Sequence, residues 1–201
     1  MAYNNKNSAP HIFGTPGGSL HEMSGRASQA QIDAGRRGEV MTASVLDSHC
    51  RGSGPTVLHD LSIPLPNILA NIDHVVVSGS RVTIVDSKYW RPGRYWTLFG
   101  KTRQGFTRVL YADKRTMYMA YQSLEVYLRG RGAKLGVPVI VVWPSSNNYP
   151  LNLRWYRPLG ARAIAGRDFT KGVGSIVGNE PADPHLVAAL RTLLKTSPTR
   201  R

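Results

Sequence analysis

Hydrophobic and polar residues alternate most regularly on either side of Gly79-Ser80. Residues 72–77 and 81–87 are rich in Val, Ile and Thr, and the Gly-Ser pair between them suits a two-residue hairpin loop. With that loop Ser78 faces Arg81, and the register of the whole hairpin follows. The pattern therefore predicts two antiparallel strands in a defined register.

Each predicted strand carries one carboxylate near its far end. The register places Asp73 directly opposite Asp86, so the two side chains project from the same face. The period of two along the second strand adds Lys88 to that face. Two carboxylates and one ammonium suit a hard divalent cation beside a group that activates a nucleophile. A three-residue loop would pair Asp73 with Val85 instead, and two unrelated, solvent-facing aspartates are the alternative interpretation.

A helix is predicted over about residues 28–49, with a serine at the N-cap. Glu39 lies on the same apolar stripe as Leu46, so its carboxylate is expected to point inward. An inward carboxylate must be paired or bound to a metal, because burying it alone is unfavourable. A boundary glutamate paired with Arg36 or Arg37 is the alternative.

Two glycines, Gly35 and Gly38, interrupt this helical pattern. Each lowers helix propensity by up to about 1 kcal/mol relative to alanine. Their presence is explained if another backbone or a ligand approaches the helix closely here.

Shorter patterns predict the remaining elements. They are strands at 55–63, 95–99 and 137–143, helices at 112–128 and 184–195, and a strand or an aromatic-basic surface at 151–162. The apolar run at 137–143 is typical of a strand buried on both faces. Gln122 lies with Tyr118 on a flank of the 112–128 helix, which suits contact with a phosphate backbone or an ordinary solvated surface.

The chain of 201 residues is predicted to form one domain with extensions. Residues 1–27 are poor in periodic structure and are expected to be a disordered arm, in which His11 and His21 are solvated. The domain is expected over 28–195, with a core at 35–145 and a C-terminal extension at 146–195. Residues 196–201 form a basic tail.

The charge of the chain favours a polyanionic partner. There are 26 Lys and Arg against 12 Asp and Glu, a formal net charge of +14, and the pI is about 10.4. Residues 91–134 contain ten Lys or Arg but only two acidic residues. The candidates for nucleic-acid contact in this stretch are Arg91, Arg94, Lys101, Arg103, Arg108, Lys114 and Arg115. A ribosomal or membrane-surface protein would show the same balance.

Cysteine content and hydropathy exclude several other classes. The single Cys50 excludes an internal disulfide and a cysteine-rich zinc site, and it fits a reducing compartment. No apolar run approaches the ~20 residues of a membrane span, and the N-terminus lacks the pattern of a signal peptide. A cytoplasmic location is expected. Because no Ser or Cys has a clear base partner, metal-assisted phosphodiester hydrolysis is the chemistry that uses the residues present.

Four motifs in order carry a family resemblance. They are Gly-Arg-Arg-Gly-Glu39 on a helix, Asn71-Ile72-Asp73-His74, Asp86-Ser87-Lys88-Tyr89, and a later helix with Gln122. Over roughly residues 35–145 the chain resembles the nuclease-related domain family, which is similar to the PD-(D/E)xK nucleases. The chain departs from the parent pattern in three places. Ile72 replaces the proline, Asp86 replaces the commoner glutamate, and Tyr127 comes five rather than four residues after Gln122.

The resemblance implies an α/β fold with a mixed central sheet flanked by helices, as in restriction endonucleases. It also implies that Asp73 and Asp86 bind Mg²⁺, with Mn²⁺ as a substitute, and that Glu39 supports them. Lys88 would be the catalytic lysine, and Gln122 a further polar residue of the site. The implied activity is hydrolysis of nucleic acid, most simply as a DNA endonuclease that acts as a homodimer. The alternatives are a catalytically inactive nucleic-acid-binding module and a structural or adaptor protein of a mobile element.

Overall fold

The computed structural model describes residues 11–18, 28–52, 54–65, 70–113 and 115–195. Most of the predicted N-terminal arm, including His21, lies outside the described residues. So do Lys114 and the predicted basic tail at 196–201.

A seven-stranded mixed sheet forms the centre of the fold, in the order β1-β2-β3-β4-β9-β11, with β8 paired to β4. Its strands are β1 (Ile12–Phe13), β2 (Thr56–Ser62), β3 (Asn71–Ser78), β4 (Arg81–Trp90), β8 (Lys134–Leu135), β9 (Val139–Pro144) and β11 (Arg162–Ala165). β2, β3 and β4 are antiparallel, whereas β9 runs parallel to β4 and β11 runs parallel to β9. Residues 139–143 of β9 are all buried, as expected for a central strand covered on both faces.

The predicted hairpin register is confirmed. Ser78 pairs with Arg81, and the ladder continues in that register to His74 and Val85. Gly79 has φ +55°, a conformation that glycine adopts at no steric cost in a tight turn. The register of β3 and β4 thus follows from the two-residue loop.

Helices cover both faces of the central sheet. They are α1 (Gln29–Cys50), α2 (Thr116–Tyr127), α3 (Gly166–Val177) and α4 (Pro184–Arg191). One core layer packs Leu46 of α1 and Phe169 of α3 against Val85 of β4. The other packs Leu124 of α2 and Leu186 of α4 on the opposite side. The predicted α/β architecture, a mixed sheet flanked by helices, is therefore confirmed, and it is the one expected of a restriction-endonuclease-like fold.

A second, four-stranded sheet stands beside the first, in the order β10-β5-β6-β7. Its strands are β5 (Gly93–Leu98), β6 (Lys101–Gln104), β7 (Thr107–Arg108) and β10 (Leu151–Trp155). The inward face contributes Tyr95 to the core, where its ring lies 5.0 Å from that of Trp90 at the end of β4. This aromatic contact joins the two sheets.

Several elements differ from the predictions: strands β6, β7, β8 and β11 were not predicted, and the helix predicted over 184–195 ends at Arg191. Ile12–Phe13 belongs to the arm predicted to be disordered, yet it pairs parallel with β2, because Ile12 and Phe13 alternate into the two core layers. The helix predicted from residue 112 begins at Thr116, after a 3₁₀ turn at Leu110–Asp113. Helix α3 was not predicted, because the low helix propensity of its glycines argues against a helix in this segment.

α1 begins with a capping box and packs against β4. Ser28 Oγ accepts a hydrogen bond from the Gln31 backbone N–H, and the Gln31 side chain accepts one from the Ser28 N–H. Ten residues further on, a β-carbon on Gly38 would lie 3.3 Å from the Lys88 carbonyl carbon. The close approach of another backbone, predicted from the glycines, is confirmed at Gly38.

The longest helix among the described residues is α1, with 22 residues. Arg36, Arg37 and Glu39 interrupt its apolar residues. Within the described ranges, no helix has both the length and the apolar composition required to cross a bilayer.

We expect Gly38→Leu to destabilise the domain by about 1–3 kcal/mol, because the larger side chain must displace the β4 backbone. For a domain of this size the melting temperature should fall by about 2–4 °C per kcal/mol. The control is Ser44→Leu, which adds the same side chain to an exposed position of α1. Equal melting temperatures for the two variants would show that the close packing of α1 on β4 at Gly38 does not limit the size of the side chain there.

Candidate active site

Three aspartates occupy one row across three neighbouring strands. His59 pairs with His74 and Leu61 with Ile72, so Asp60 lies opposite Asp73 in the β2–β3 register. The β3–β4 ladder ends at His74 and Val85, one position before Asp73 and Asp86, and Asp73 accepts a hydrogen bond from the Ser87 backbone N–H there. We name Asp60, Asp73 and Asp86 the acidic row. Its outer member, Asp60, was not predicted from the sequence.

The regular alternation of side chains breaks at the acidic row. Leu58 and Leu61 belong to the same core layer although they are three residues apart, and so do Ile72 and Val75. Asp60 accounts for the change in β2, because its φ of +56° is a left-handed conformation that aspartate tolerates better than most residues. The sheet is therefore irregular where the carboxylates meet.

Lys88 lies on the same strand as Asp86 and forms an ion pair with it. The Lys88 Nζ is 2.5 Å from Asp86 Oδ2 and also donates to the Ser87 carbonyl at 3.2 Å. Burial lowers the pKa of Lys88, but the charges of Asp86 and Asp73 and the hydrogen bond to Asp86 outweigh it, so the pKa is raised. The protonated form of Lys88 is consequently favoured, and its ammonium group donates to the neighbouring oxygens.

Glu39 reaches the acidic row from α1. Its side chain is buried, and Oε2 has no hydrogen-bond partner among the described residues. Desolvation, followed by repulsion from Asp73 and Asp60, raises the pKa of Glu39 to about 9. Arg36 and Arg37 are exposed and form no ion pair with it in the described structure, so the alternative interpretation of Glu39 is wrong.

Asp73 is half-buried at the centre of the row. Its Oδ2 accepts a hydrogen bond from the Ser87 backbone N–H at 2.8 Å, in place of a further ladder pair. Burial and repulsion from Asp86 raise its pKa to about 7, against the opposing effects of Lys88 and the Ser87 N–H. The interpretation of Asp73 and Asp86 as two unrelated, solvent-facing aspartates is therefore wrong.

A buried hydrogen-bonded chain, which the sequence did not reveal, ends at Ser87. His74 Nε2 lies 3.1 Å from Ser87 Oγ, the Nδ1 atoms of His74 and His59 are 2.7 Å apart, and His59 Nε2 lies 2.9 Å from Asp47 Oδ1. Burial lowers the pKa of both histidines, and that of His74 well below its ordinary value. With both rings neutral, one assignment satisfies each bond: Ser87 donates to His74, His74 to His59, and His59 to Asp47. The chain holds Ser87, whose N–H binds Asp73.

The described carboxylates do not form a closed metal cage. Within the described ranges, no group of three or more His, Cys, Asp or Glu side chains could hold a metal ion. Mg²⁺, however, is usually bound through one or two carboxylates together with waters and substrate phosphates. Asp73 and Asp86 supply such a pair, and Glu39 Oε2 is an acceptor without a partner.

Two other sequence candidates lie outside this cluster. Gln122 is exposed on α2 and donates to the Tyr118 hydroxyl at 2.9 Å, and the described contacts do not bring it to the acidic row. Its role stays a prediction. Cys50 is buried, and desolvation raises its pKa to about 12, which makes it a poor nucleophile.

The second sheet brings several predicted basic residues to one solvent-exposed face. Trp155 pairs with Trp96, Trp96 with Arg103, and Arg103 with Arg108, so a row of four side chains crosses the sheet. The period of two places further residues on that face. We name it the Trp-Arg face; it comprises Arg94, Trp96, Leu98, Lys101, Arg103, Arg108 and Trp155. Arg91 and Arg115 are exposed outside it.

The described structure thus combines a cluster of carboxylates and a lysine with a basic surface in one mixed α/β domain. The sequence profile described as nuclease-related domain matches residues 34–143, more than half of the chain. The chain belongs to the nuclease-related domain family, as the motifs predicted. No curated protein and no solved structure matches it.

We expect Glu39→Gln to stabilise the protein in EDTA, increasingly as the pH rises. The folded state raises the pKa of Glu39 from 4.5 to about 9, so its stabilising contribution is complete below about pH 4.5 and is lost as the pH rises through that window. The amide avoids this loss. The melting temperature of the Glu39→Gln variant should equal that of the wild type near pH 4.5. Near pH 8 it should be higher, by about 2–4 °C for each kcal/mol of relieved repulsion.

Glu125→Gln is the matched control, because Glu125 is exposed on α2. The assay is thermal unfolding followed by circular dichroism across the pH range. A Glu39→Gln variant less stable than the wild type near pH 8 would contradict the raised pKa.

Proposed function

We propose that the protein is a metal-dependent nuclease that hydrolyses phosphodiester bonds of nucleic acid, with DNA as its substrate. The observation that carries the proposal is the convergence of Glu39, Asp73, Asp86 and Lys88 from one helix and two strands, with two of the carboxylate pKa values raised. Membership of the nuclease-related domain family supports it. A homodimer and a cytoplasmic location stay predictions from the sequence.

Asp73 and Asp86 would hold Mg²⁺, or Mn²⁺ in its place, and Glu39 would support them. An ion held there would supply an activated water and offset charge on the scissile phosphate. Because burial and repulsion between carboxylates raise the pKa values of Glu39 and Asp73, a cation would favour release of their protons. The metal site implied by the family resemblance and the raised pKa values of the carboxylates therefore both favour a cation at this cluster.

Lys88 would contribute a fixed positive charge. Its raised pKa opposes a role as general base, whereas a protonated amine can donate to a phosphate oxygen as negative charge develops there. Asp86 holds the Nζ in place. Ser87, anchored by His74, orients Asp73 on the other side.

The basic residues of the Trp-Arg face would bind flanking phosphates. Arg94, Lys101 and Arg103 add positive charge without an acidic partner among the described ion pairs, whereas Arg108 pairs with Asp113 at 3.6 Å. Affinity for nucleic acid should therefore fall steeply with salt.

A catalytically inactive nucleic-acid-binding module is the second candidate function. The Lys88–Asp86 ion pair favours it, because this pair satisfies two charges of the cluster without a metal. The two candidates share the binding surface and differ in the fate of the substrate.

We expect supercoiled plasmid DNA to be nicked with Mg²⁺ or Mn²⁺ and to stay intact in EDTA. Asp86→Asn and Lys88→Met should each lower the cleavage rate by about 100-fold or more, because each removes a charge that stabilises the transition state. The conversion is followed by gel electrophoresis under single-turnover conditions.

The matched controls are Asp33→Asn and Lys171→Met, which make the same changes at exposed positions of α1 and α3. They should cleave at the wild-type rate. Binding of intact plasmid by all variants, with no nicking by the wild type in either metal, would support the inactive module instead.

We also expect millimolar Mg²⁺ to raise the melting temperature at low ionic strength. The ion binds the folded state and relieves repulsion among the carboxylates, so an increase of several degrees is expected. Asp73→Asn should remove most of the increase, and Asp33→Asn none of it. Differential scanning calorimetry at matched ionic strength measures the effect, and an unchanged wild-type melting temperature would count against the site.

A further inference from the structure

The Trp-Arg face exposes aromatic rings that the core does not use. Tyr95 and Thr102, on the opposite face of the same strands, are buried, whereas Trp155 is 57% exposed. The adjoining β5–β6 and β6–β7 loops add Phe99 and Phe106, which are 92% and 96% exposed. Large aromatic side chains grouped on a solvent-facing sheet are typical of an interaction surface.

Arginines surround both tryptophans. The guanidinium of Arg103 lies 5.8 Å from the Trp96 ring, and those of Arg154 and Arg157 lie 5.7 and 6.0 Å from the Trp155 ring. The Trp96 indole N–H donates to the Gly105 carbonyl at 2.8 Å, which fixes that ring. The face thus combines flat apolar surfaces with fixed positive charges.

Both tryptophans line an open depression of about 560 Å³. It is lined by Arg94, Trp96, Thr97, Leu98, Trp155 and Arg157. The lining contains two arginines and two indoles but no carboxylate. A flat ring carrying an anionic group fits this composition.

Unpaired nucleotides combine those two properties. In a duplex the bases already stack on each other, so the indoles would find phosphates but no free base faces. A second copy of this chain would bring the same positive face against itself, and the arginines over both rings interrupt the apolar surface that a bilayer needs. An acidic peptide would supply the charge without the ring.

We propose that the Trp-Arg face, together with the adjacent Arg157, binds a single-stranded segment of nucleic acid, with bases stacked on Trp96 and Trp155 and phosphates bound by Arg94, Arg103 and Arg157. This deepens the proposed function, on which it rests for the nature of the substrate. β5 begins three residues after the end of β4, the strand that carries Asp86 and Lys88.

The test is equilibrium binding of fluorescein-labelled oligonucleotides to the full chain in EDTA, measured by anisotropy. The probes are oligo-dT, oligo-U and a blunt DNA duplex of equal length. The wild type should bind oligo-dT more tightly than the duplex. Trp155→Ala should weaken oligo-dT binding roughly five- to 150-fold, while duplex affinity changes by less than about threefold.

Trp155→Phe should recover most of the affinity, because it restores an aromatic face. Arg157→Ala should bind oligo-dT more weakly than the wild type. The control is Arg167→Ala, which should bind like the wild type because Arg167 is exposed on α3. Independently of any variant, an oligonucleotide carrying 5-iodouracil should photo-crosslink to peptides containing residues 93–98 or 151–157. Crosslinks confined to other peptides would overturn the proposal.

Equal affinity of Trp155→Ala and the wild type for oligo-dT and oligo-U, or equal losses on single strand and duplex, would also overturn it. So would competition by polyglutamate or by anionic vesicles at matched charge, or a dimer that dissociates in Trp155→Ala. If Trp155→Ala weakens the binding of oligo-dT less than that of oligo-U, the bound strand is RNA, and the role of the Trp-Arg face in single-strand binding is supported.

The plasmid assay separates this inference from the proposed function. Trp155-dependent binding of single strands without Mg²⁺-dependent cleavage would overturn the nuclease and support the surface. If the wild type cleaves plasmid DNA but Trp155→Ala binds single strands as tightly as the wild type, the nuclease is supported and the proposed surface is overturned.

Discussion

Repulsion among carboxylates is the constraint that shapes this protein. The registers of β2, β3 and β4 bring Asp60, Asp73 and Asp86 to neighbouring positions, and α1 adds Glu39. A shift of the strand pairing by one residue would relieve the repulsion among the aspartates. It would also turn every buried side chain of those strands to the other face of the sheet. The fold therefore keeps the repulsion, and Lys88, the Ser87 N–H and bound protons offset it.

Local patterns made part of this site predictable. The Gly-Ser loop determined the register that brings Asp73 to Asp86, and the helical period turned Glu39 inward. Asp60 was missed because its place depends on a left-handed backbone conformation inside a strand, which no alternation pattern reveals. The buried chain from Asp47 to Ser87 depends on pairings between β2, β3 and β4 together with α1 packing.

Long-range pairing explains the other differences between prediction and structure. β10 lies parallel to β5 although almost sixty residues separate their starts, so the pairing of Trp155 with Trp96 could not be derived from either segment alone. β1 likewise forms only because β2 offers it an edge. The basic stretch after β4 was visible as charge, but only the second sheet shows which of its residues share a face.

A purely structural explanation of the cluster does not account for Glu39. A structural ion pair brings opposite charges together, as in Lys88 and Asp86, whereas Glu39 Oε2 is buried with neither an ion pair nor a hydrogen-bond partner in the described structure. An unpartnered buried carboxyl is destabilising, and a neutral or apolar side chain of similar size would remove that penalty. Stability alone therefore favours replacing Glu39, and its position beside Asp73 is better explained by a cation or substrate that supplies the missing positive charge.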